Sequence, residues 1–239
     1  MPVFAASYIL EQPPRARNPM SQAHSIVMEK IRKDYAGRRV LDGLDLRVGK
    51  GETVFIKGEN GSGKTSVLKI AAALSRPAAG RAQVAGFDTV SSPEQVRRRV
   101  GFVSHEDCLY EGLSAFENLR FFCELQSIGN AAFRAEELIE IFEIPFSRRQ
   151  GCGSLSAGMK KRISIARAVS HNPEVLLLDE PFSGLDRRGS EILSQEFERL
   201  KNSGAAALVS THGNFEGSDI ADWTVVITSG RADRSGSVL

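Results

Sequence analysis

The sequence predicts an α/β fold in which a mainly parallel sheet is combined with an antiparallel β subdomain and an inserted α-helical subdomain. Residues Ser25 to Asp34 and Val40 to Val48 alternate apolar and polar side chains on either side of Gly37, as two paired antiparallel strands do. The apolar run from Val175 to Leu178 is typical of a strand that is buried on both faces. Helical stretches separate such runs along the chain, which favours a parallel sheet.

The helical subdomain is predicted at about residues 101–158, where the spacing of apolar residues changes to that of helices. Leu113 to Leu125 and Phe133 to Phe142 both carry apolar side chains at helical spacing. Gly129 separates these two helices and Pro145 follows the second. We therefore expect a pair of helices that is inserted between strands of the sheet.

Composition limits the protein to an ordinary folded chain. The 239 residues contain 41% apolar and 25% charged residues, and 31 basic against 29 acidic residues give a net charge of +2. Because the charge is nearly balanced, a broad nucleic-acid surface is not expected. The sequence contains no run of about 18 uncharged apolar residues, so no membrane span is predicted. We expect a flexible N-terminal tail at 1–24, one folded domain at 25–230 and a fraying Gly/Ser/Arg-rich tail at 231–239.

A glycine-rich loop follows the β-branched run Gly51 to Lys57 and precedes a helical pattern. Gly58, Gly63, Lys64 and Thr65 fit the pattern GxxxxGK[ST] in the strand–loop–helix context that it requires. Backbone N–H groups of such a loop bind phosphate oxygens, the lysine adds a charge, and the threonine hydroxyl binds Mg²⁺. The alternative is a turn that merely connects two elements. The remaining predicted nucleotide-binding residues of this segment are Glu59, Asn60, Gly61, Ser62 and Ser66.

Two carboxylates end the buried strand VLLLDE. Asp179 lies at the carboxyl end of the strand, where ligands of open α/β sheets bind, and is predicted to hold the metal and its water shell. Glu180 points differently and is predicted to accept a proton from an attacking water, as a general base does. The alternative is that both residues only begin a turn before Pro181.

Four further motifs occur in the same chain as the phosphate loop and the strand-end carboxylates. They are LSAGMKKR (Leu155 to Arg162), FSGLD (Phe182 to Asp186), the pair Thr211-His212, and the aromatic residue Tyr35. Together with the phosphate loop and the carboxylates, they make Ser25 to about Gly230 resemble the ATP-binding cassette (ABC) ATPases. The first motif departs from the family signature LSGGQ at Ala157 and Met159.

The resemblance implies a P-loop (RecA-like) core that binds ATP and Mg²⁺ and hydrolyses ATP. It places Tyr35 against adenine, His212 at the γ-phosphate and Asp186 in the D-loop of the family. Ser156 and Gly158 would contact the ATP of a second subunit, in a head-to-tail homodimer or pseudo-dimer. The residues alone leave alternatives open: a plain strand-end aromatic for Tyr35, a helix cap for Ser156, and a core or loop histidine for His212.

The segment Val103 to Phe122 indicates which group within the family the sequence resembles. His105 stands where most members have a glutamine that contacts Mg²⁺, so it is a candidate metal contact, with Glu106 or Asp107 as alternatives. The segment is similar to the ATPase subunits of cytochrome c maturation haem exporters, the CcmA group. This implies a CcmB-like permease that docks on the helical subdomain, and a peripheral location on the cytoplasmic face of the cell (inner) membrane.

Two alternatives stay open at this point. The first is another small exporter ATPase of the ABC-2 type. The second is a soluble ABC ATPase that acts on DNA, ribosomes or iron–sulfur assembly. The basic runs Arg97 to Arg99 and Lys160 to Arg162 are interpreted as solvated helix faces, so nucleic acid is not an expected partner.

Overall fold

The computed structural model describes residues 24–144, 150–211 and 220–237, with side chains through residue 233. The predicted N-terminal tail therefore lies outside the described residues, apart from His24 at the start of the first strand. The strands are β1 His24–Tyr35, β2 Arg38–Gly49, β3 Thr53–Lys57, β4 Ala79–Val84, β5 Phe87–Asp88, β6 Val100–Val103, β7 Val175–Asp179, β8 Ala206–Ser210, β9 Trp223–Thr228 and β10 Arg231–Ser237. The α-helices are α1 Lys64–Ala71, α2 Pro93–Arg97, α3 Ala115–Leu125, α4 Ala131–Ile141, α5 Ala157–Val169 and α6 Arg187–Asn202.

The antiparallel subdomain forms as the alternating pattern predicts. Strands β1 and β2 pair across a turn at Ala36 and Gly37, whose positive φ angles of 46° and 81° reverse the chain tightly. In the described part of the chain this sheet has the order β2-β1-β4-β5. Ile26, Met28 and Ile31 of β1 are fully buried and form its core with α1.

The second sheet carries the candidate site. Within the described ranges its strand order is β10-β9-β3-β8-β7-β6, and β9, β3, β8, β7 and β6 run parallel to one another. Strands β7 and β8 are buried along their whole length, as the apolar runs predict. Because the strands are parallel, the carboxyl ends of β3, β7 and β8 meet at one edge of the sheet.

The helical subdomain consists of α3 and α4, which pack on α5. Ser114 caps α3 through a reciprocal pair of bonds with Glu117, and Asn130 caps α4. Leu119 and Leu138 are fully buried between the helices. Strand β6 still belongs to the sheet, so the insertion begins after Val103, slightly later than the predicted residue 101. None of the helices in the described ranges is long and apolar enough to cross a bilayer.

The predicted fraying tail is wrong for Arg231–Ser237. These residues form β10, which pairs antiparallel with β9 across the turn at Ser229 and Gly230. The Gly230 carbonyl accepts a hydrogen bond from the Asp42 N–H at 2.9 Å, so the hairpin is also tied to β2. A Cβ at Gly230 would lie 2.7 Å from the Val40 carbonyl oxygen, so only glycine fits this contact.

Candidate nucleotide site

The phosphate loop joins β3 to α1 and leaves the first turn of α1 without a side-chain cap. Gly58, Gly61 and Gly63 have φ angles of 154°, 79° and 111°, which residues with side chains rarely adopt. The N-cap residue is Gly63, which has no side chain that could accept a hydrogen bond from the first N–H groups of the helix. The N–H groups of the turn are therefore oriented to bind an anion.

Lys64 is held inside this loop. Its Nζ donates to the Gly58 carbonyl oxygen at 2.7 Å and to the Glu59 carbonyl oxygen at 3.1 Å. Burial lowers the pKa of Lys64, and the carboxylates of Glu180 and Asp179 oppose that shift. A phosphate beside the ammonium would favour its charged form, so the loop suits a polyanionic ligand.

The carboxylates lie where the sequence analysis places them. Asp179 is buried, and its Oδ2 accepts a hydrogen bond from the Thr65 hydroxyl at 2.8 Å. Its Oδ1 accepts from the Ser210 hydroxyl at 2.5 Å, and the same hydroxyl accepts from the Glu180 N–H at 3.0 Å. Glu180 has a φ of 51°, so the chain leaves the strand direction directly after Asp179.

His105 lies beside Glu180 rather than in a buried metal shell. Its side chain is 75% exposed, and its Nδ1 is 4.0 Å from the Glu180 Oε2. The following segment is anchored, because the Asp107 carbonyl oxygen accepts bonds from the Ser164 hydroxyl and the Arg167 guanidinium. The metal contact of His105 therefore stays a prediction, while its neighbour in this structure is the predicted base.

Tyr35 is the last residue of β1 and lines the same cleft as the phosphate loop and Glu180. This cleft has a volume of about 290 Å³. The residue is 45% exposed, and the Lys33 ammonium lies 4.9 Å from the ring centroid. Partial burial acts to raise the pKa of Tyr35, but hydrogen bonds with Ser66 and Ser75 and nearby lysine charges hold it below its ordinary value. An exposed aromatic face at this position suits a nucleobase.

The LSAGM segment forms the start of α5 and is packed against the FSGLD loop. Ser156 is the N-cap of the helix, and its hydroxyl accepts from the Met159 N–H at 3.3 Å. A Cβ at Gly158 would lie 2.8 Å from the Gly184 carbonyl oxygen, so the glycine permits a close backbone approach. Arg162 donates to Asp186 Oδ1 at 2.5 Å. The two loops therefore form one surface.

Comparison with known proteins decides the family. The chain matches the profile of the family described as "ABC transporter" over residues 41–183, which is more than half of its length. The chain belongs to the ABC transporter family. It is an ATPase of this family and uses ATP with Mg²⁺.

Curated relatives agree with this assignment. The chain is 36% identical to the daunorubicin resistance ATP-binding protein DrrA3 of Streptomyces coeruleorubidus, over 89% of this chain and 68% of the relative. It is also 36% identical to the ABC transporter ATP-binding protein NatA of Bacillus subtilis, over 82% of this chain and 80% of the relative. The Nod factor export ATP-binding protein I of Cupriavidus pinatubonensis is 32% identical, over 93% and 70%.

A solved structure confirms the predicted fold. A dimeric ATP-binding cassette in a post-hydrolysis state, bound to ADP and Pi, superposes with a TM-score of 0.82 at 25% identity. The match covers 90% of this chain and 99% of that one. The ABC ATPase core with its helical insertion is therefore the fold of this chain.

Magnesium fits the residues at the site. Among the described residues no group of three or more His, Cys, Asp or Glu side chains could hold a metal by itself. Mg²⁺ in phosphate-transfer sites needs only one or two protein oxygens, because phosphate oxygens and waters complete its shell. Thr65 and Asp179 supply such a pair. The Ser62 hydroxyl is buried in the loop with no hydrogen-bond partner, as a residue that awaits a phosphate oxygen would be.

His212 lies outside the described residues, so its role at the γ-phosphate stays a prediction; the chain can be followed to Thr211, whose N–H donates to the Ile56 carbonyl oxygen at 3.0 Å. Sequence reasoning missed Ser210 and Arg162, although the site depends on both for its internal hydrogen bonds. A hydroxyl at the end of the apolar run AALVS was the available signal for Ser210.

Proposed function

We propose that this ABC ATPase is the ATP-hydrolysing subunit of an exporter, and that it works as a head-to-tail dimer bound to a membrane permease. The observation that carries the permease part is the exposed apolar surface of the helical subdomain. Tyr110, Leu125 and Phe133 expose 51, 62 and 63% of their area, although each is a large apolar or aromatic residue. We propose that these side chains form one contact surface for the permease, since contiguous exposed apolar patches are typical of protein contacts.

Aromatic, cation–π and hydrogen-bond contacts hold the segment between the site and this surface against α3 and α5. Tyr110 packs edge-on against Phe121 and stacks on Phe122, with centroid distances of 5.3 and 6.1 Å. The Arg167 guanidinium lies 4.7 Å from the Phe122 centroid and donates to the Cys108 carbonyl oxygen at 2.6 Å. Since His105 begins the same segment beside Glu180, a permease helix on Tyr110 would act on the surroundings of the base.

Hydrolysis in this proposal uses the residues at the edge of the sheet. Lys64 and the N–H groups of the loop bind the β- and γ-phosphate oxygens. Water attacks the γ-phosphorus and gives a proton to the Glu180 carboxylate, while the bond between that phosphorus and the bridging oxygen of ADP breaks. Thr65 and Asp179 would hold Mg²⁺, which would supply positive charge to the phosphates.

A head-to-tail dimer would complete the nucleotide site. The cleft of about 290 Å³ is slightly smaller than the about 300–1,000 Å³ usual for small-molecule sites, so a wall from a second subunit would enlarge the enclosed site. Ser156 and Gly158 are predicted to supply that wall to a partner. The dimeric ADP-bound cassette named above is a precedent for this arrangement.

Contact with nucleic acid receives less support. In the two basic runs, Arg99 donates to Gln95 and pairs with Glu174, Arg162 pairs with Asp186, and Lys161 is buried. Side chains that are engaged within the protein are poorly placed to neutralise phosphates of DNA or RNA. A soluble role on DNA or ribosomes is therefore the second hypothesis.

The test is purification of the tagged Glu180→Gln chain from solubilised host membranes in the presence of ATP. We expect a multi-spanning membrane protein to copurify, and Tyr110→Ala to reduce its yield. Val90→Ala is the matched control, because Val90 is a 41% exposed apolar residue outside the helical subdomain. Recovery with ribosomes or DNA and without a membrane protein would refute the exporter proposal.

The transported substrate needs a separate measurement. The resemblance of Val103 to Phe122 to haem-exporter ATPases makes haem one candidate, with a CcmB-like permease, whereas two of the relatives above are drug-resistance and Nod-factor export proteins. ATPase activity of the purified membrane complex is measured with haem and with an anthracycline. Stimulation by haem alone supports the haem exporter, and stimulation by the anthracycline alone refutes it.

A further inference from the structure

Ser210 connects the two residues that are proposed to carry the chemistry. It is the last residue of β8 and is fully buried. Its hydroxyl donates to Asp179 Oδ1 and accepts from the Glu180 N–H, at 2.5 and 3.0 Å. One side chain therefore contacts the metal-side carboxylate and the backbone of the general base.

The register of the sheet explains why a hydroxyl is needed there. Asp179 and Ser210 are the last paired residues of β7 and β8. Glu180 follows this last pair and has a φ of 51°, so the chain leaves the strand direction there and the Glu180 N–H lies beyond the last pair of the ladder. The Ser210 hydroxyl accepts this N–H and still has its own proton for Asp179, so both bonds exist at once.

The Asp179 carboxylate is fixed from two sides. Its second oxygen, Oδ2, accepts from the Thr65 hydroxyl on α1, while Oδ1 accepts from Ser210 on β8. Two donors from different elements define the plane of the carboxylate. We propose that Ser210 is a positioning residue for ATP hydrolysis, which orients Asp179 toward the metal and holds Glu180 in its turned backbone conformation.

This role is independent of the permease and of the transported substrate. The positioning role can also be separated from ATP binding. In our proposal the phosphate loop and Tyr35 hold the nucleotide, whereas the described hydrogen bonds of the Ser210 hydroxyl go to Asp179 and Glu180. Loss of the hydroxyl should therefore change how the site uses Mg²⁺ and water, and leave its metal-free affinity for ATP unchanged.

The experiment compares Ser210→Ala with Ser210→Thr, which keeps a hydroxyl. The matched control is Ser170→Ala, since Ser170 is a buried serine whose hydroxyl bonds within its own helix end, to the Arg167 carbonyl oxygen. Three quantities are measured: kcat and KM, the Mg²⁺ concentration that gives half-maximal rate, and ATP affinity by calorimetry with and without Mg²⁺.

For Ser210→Ala we expect kcat to fall or the required Mg²⁺ concentration to rise, on the order of 10- to 100-fold, as for partners that orient metal ligands. ATP affinity in EDTA should equal that of the parent, and the gain in affinity that Mg²⁺ produces should shrink. Ser210→Thr should keep most of the activity, and Ser170→Ala should match the parent in all three quantities.

Three results would overturn the proposal. The first is a Ser210→Ala chain with the kcat and Mg²⁺ dependence of the parent. The second is an equal loss for Ser210→Thr and Ser210→Ala, which would assign the effect to packing and not to the hydroxyl. The third is a matching loss of metal-free ATP affinity. If Ser210→Ala does not fold, Ser210→Cys replaces it, because a thiol is a weak donor and the same reduction is expected.

Discussion

Replacing Gly158 by alanine tests whether the signature helix and the D-loop form one surface. An ideal Cβ would lie 2.8 Å from the Gly184 carbonyl oxygen. Carbon and carbonyl oxygen meet at about 3.3 Å in close backbone contacts, so about 0.5 Å of overlap must be relieved. The clashing atom belongs to the backbone and cannot rotate away, and overpacking of this kind costs about 1–3 kcal/mol.

Thermal unfolding measures that cost. For a chain of this size about 1 kcal/mol lowers Tm by about 2–4 °C, so we expect Gly158→Ala to melt about 2–12 °C below the parent. ATP-dependent dimerisation of the Glu180→Gln chain, followed by size exclusion with light scattering, should weaken when Gly158→Ala is added. Gly129→Ala is the matched control, because a Cβ there meets no atom within 4 Å. A Gly158→Ala chain that melts and dimerises like the parent would refute the shared surface.

Three further predictions concern the site itself. Glu180→Gln should lower kcat by about 10²- to 10⁴-fold while ATP affinity is kept, because the amide cannot accept the proton; unchanged turnover would reject the base assignment. Lys64→Ala should weaken ATP binding in calorimetry on the order of 10- to 100-fold, as loss of a charge-assisted bond does, whereas the exposed Lys50→Ala should not; equal affinities would contradict the phosphate-loop role. The Gly189 N–H and then Arg162 hold the pKa of Asp186 below its ordinary value, so its stabilising effect is complete at neutral pH and is lost as the pH falls through that lowered pKa. Asp186→Asn should therefore flatten the acid side of a plot of Tm against pH, and superimposable acid limbs would argue against this contribution.

The sequence predicts an element of the fold correctly where that element depends on residues close together in the chain. The alternation of β1 and β2, the glycine loop before α1 and the apolar run of β7 each determine an element through periodicity or backbone freedom within about ten residues. The structure also brings Thr65 and Asp179 together, because parallel strands bring their carboxyl ends to one edge, while their role at the metal stays a prediction.

Contacts that depend on register could not be predicted in the same way. Ser210 meets Asp179 because β8 pairs with β7 in one register, and a shift of one residue would turn its side chain to the other face. Arg162 reaches Asp186 across 24 residues through the packing of α5 on the D-loop, which no local pattern encodes. The position of His105 next to Glu180 depends in the same way on two separate strands, β6 and β7.

The composition of β10 has a consequence for self-association. This strand is the outer edge of the sheet within the described residues, and its sequence RADRSGS has arginine and aspartate but no valine or isoleucine. An edge strand with apolar side chains would offer its free N–H and C=O groups to another molecule, whereas charged side chains oppose such pairing. The residues that made this segment look like an unstructured tail are therefore the ones that let it cover β9 without recruiting a further strand.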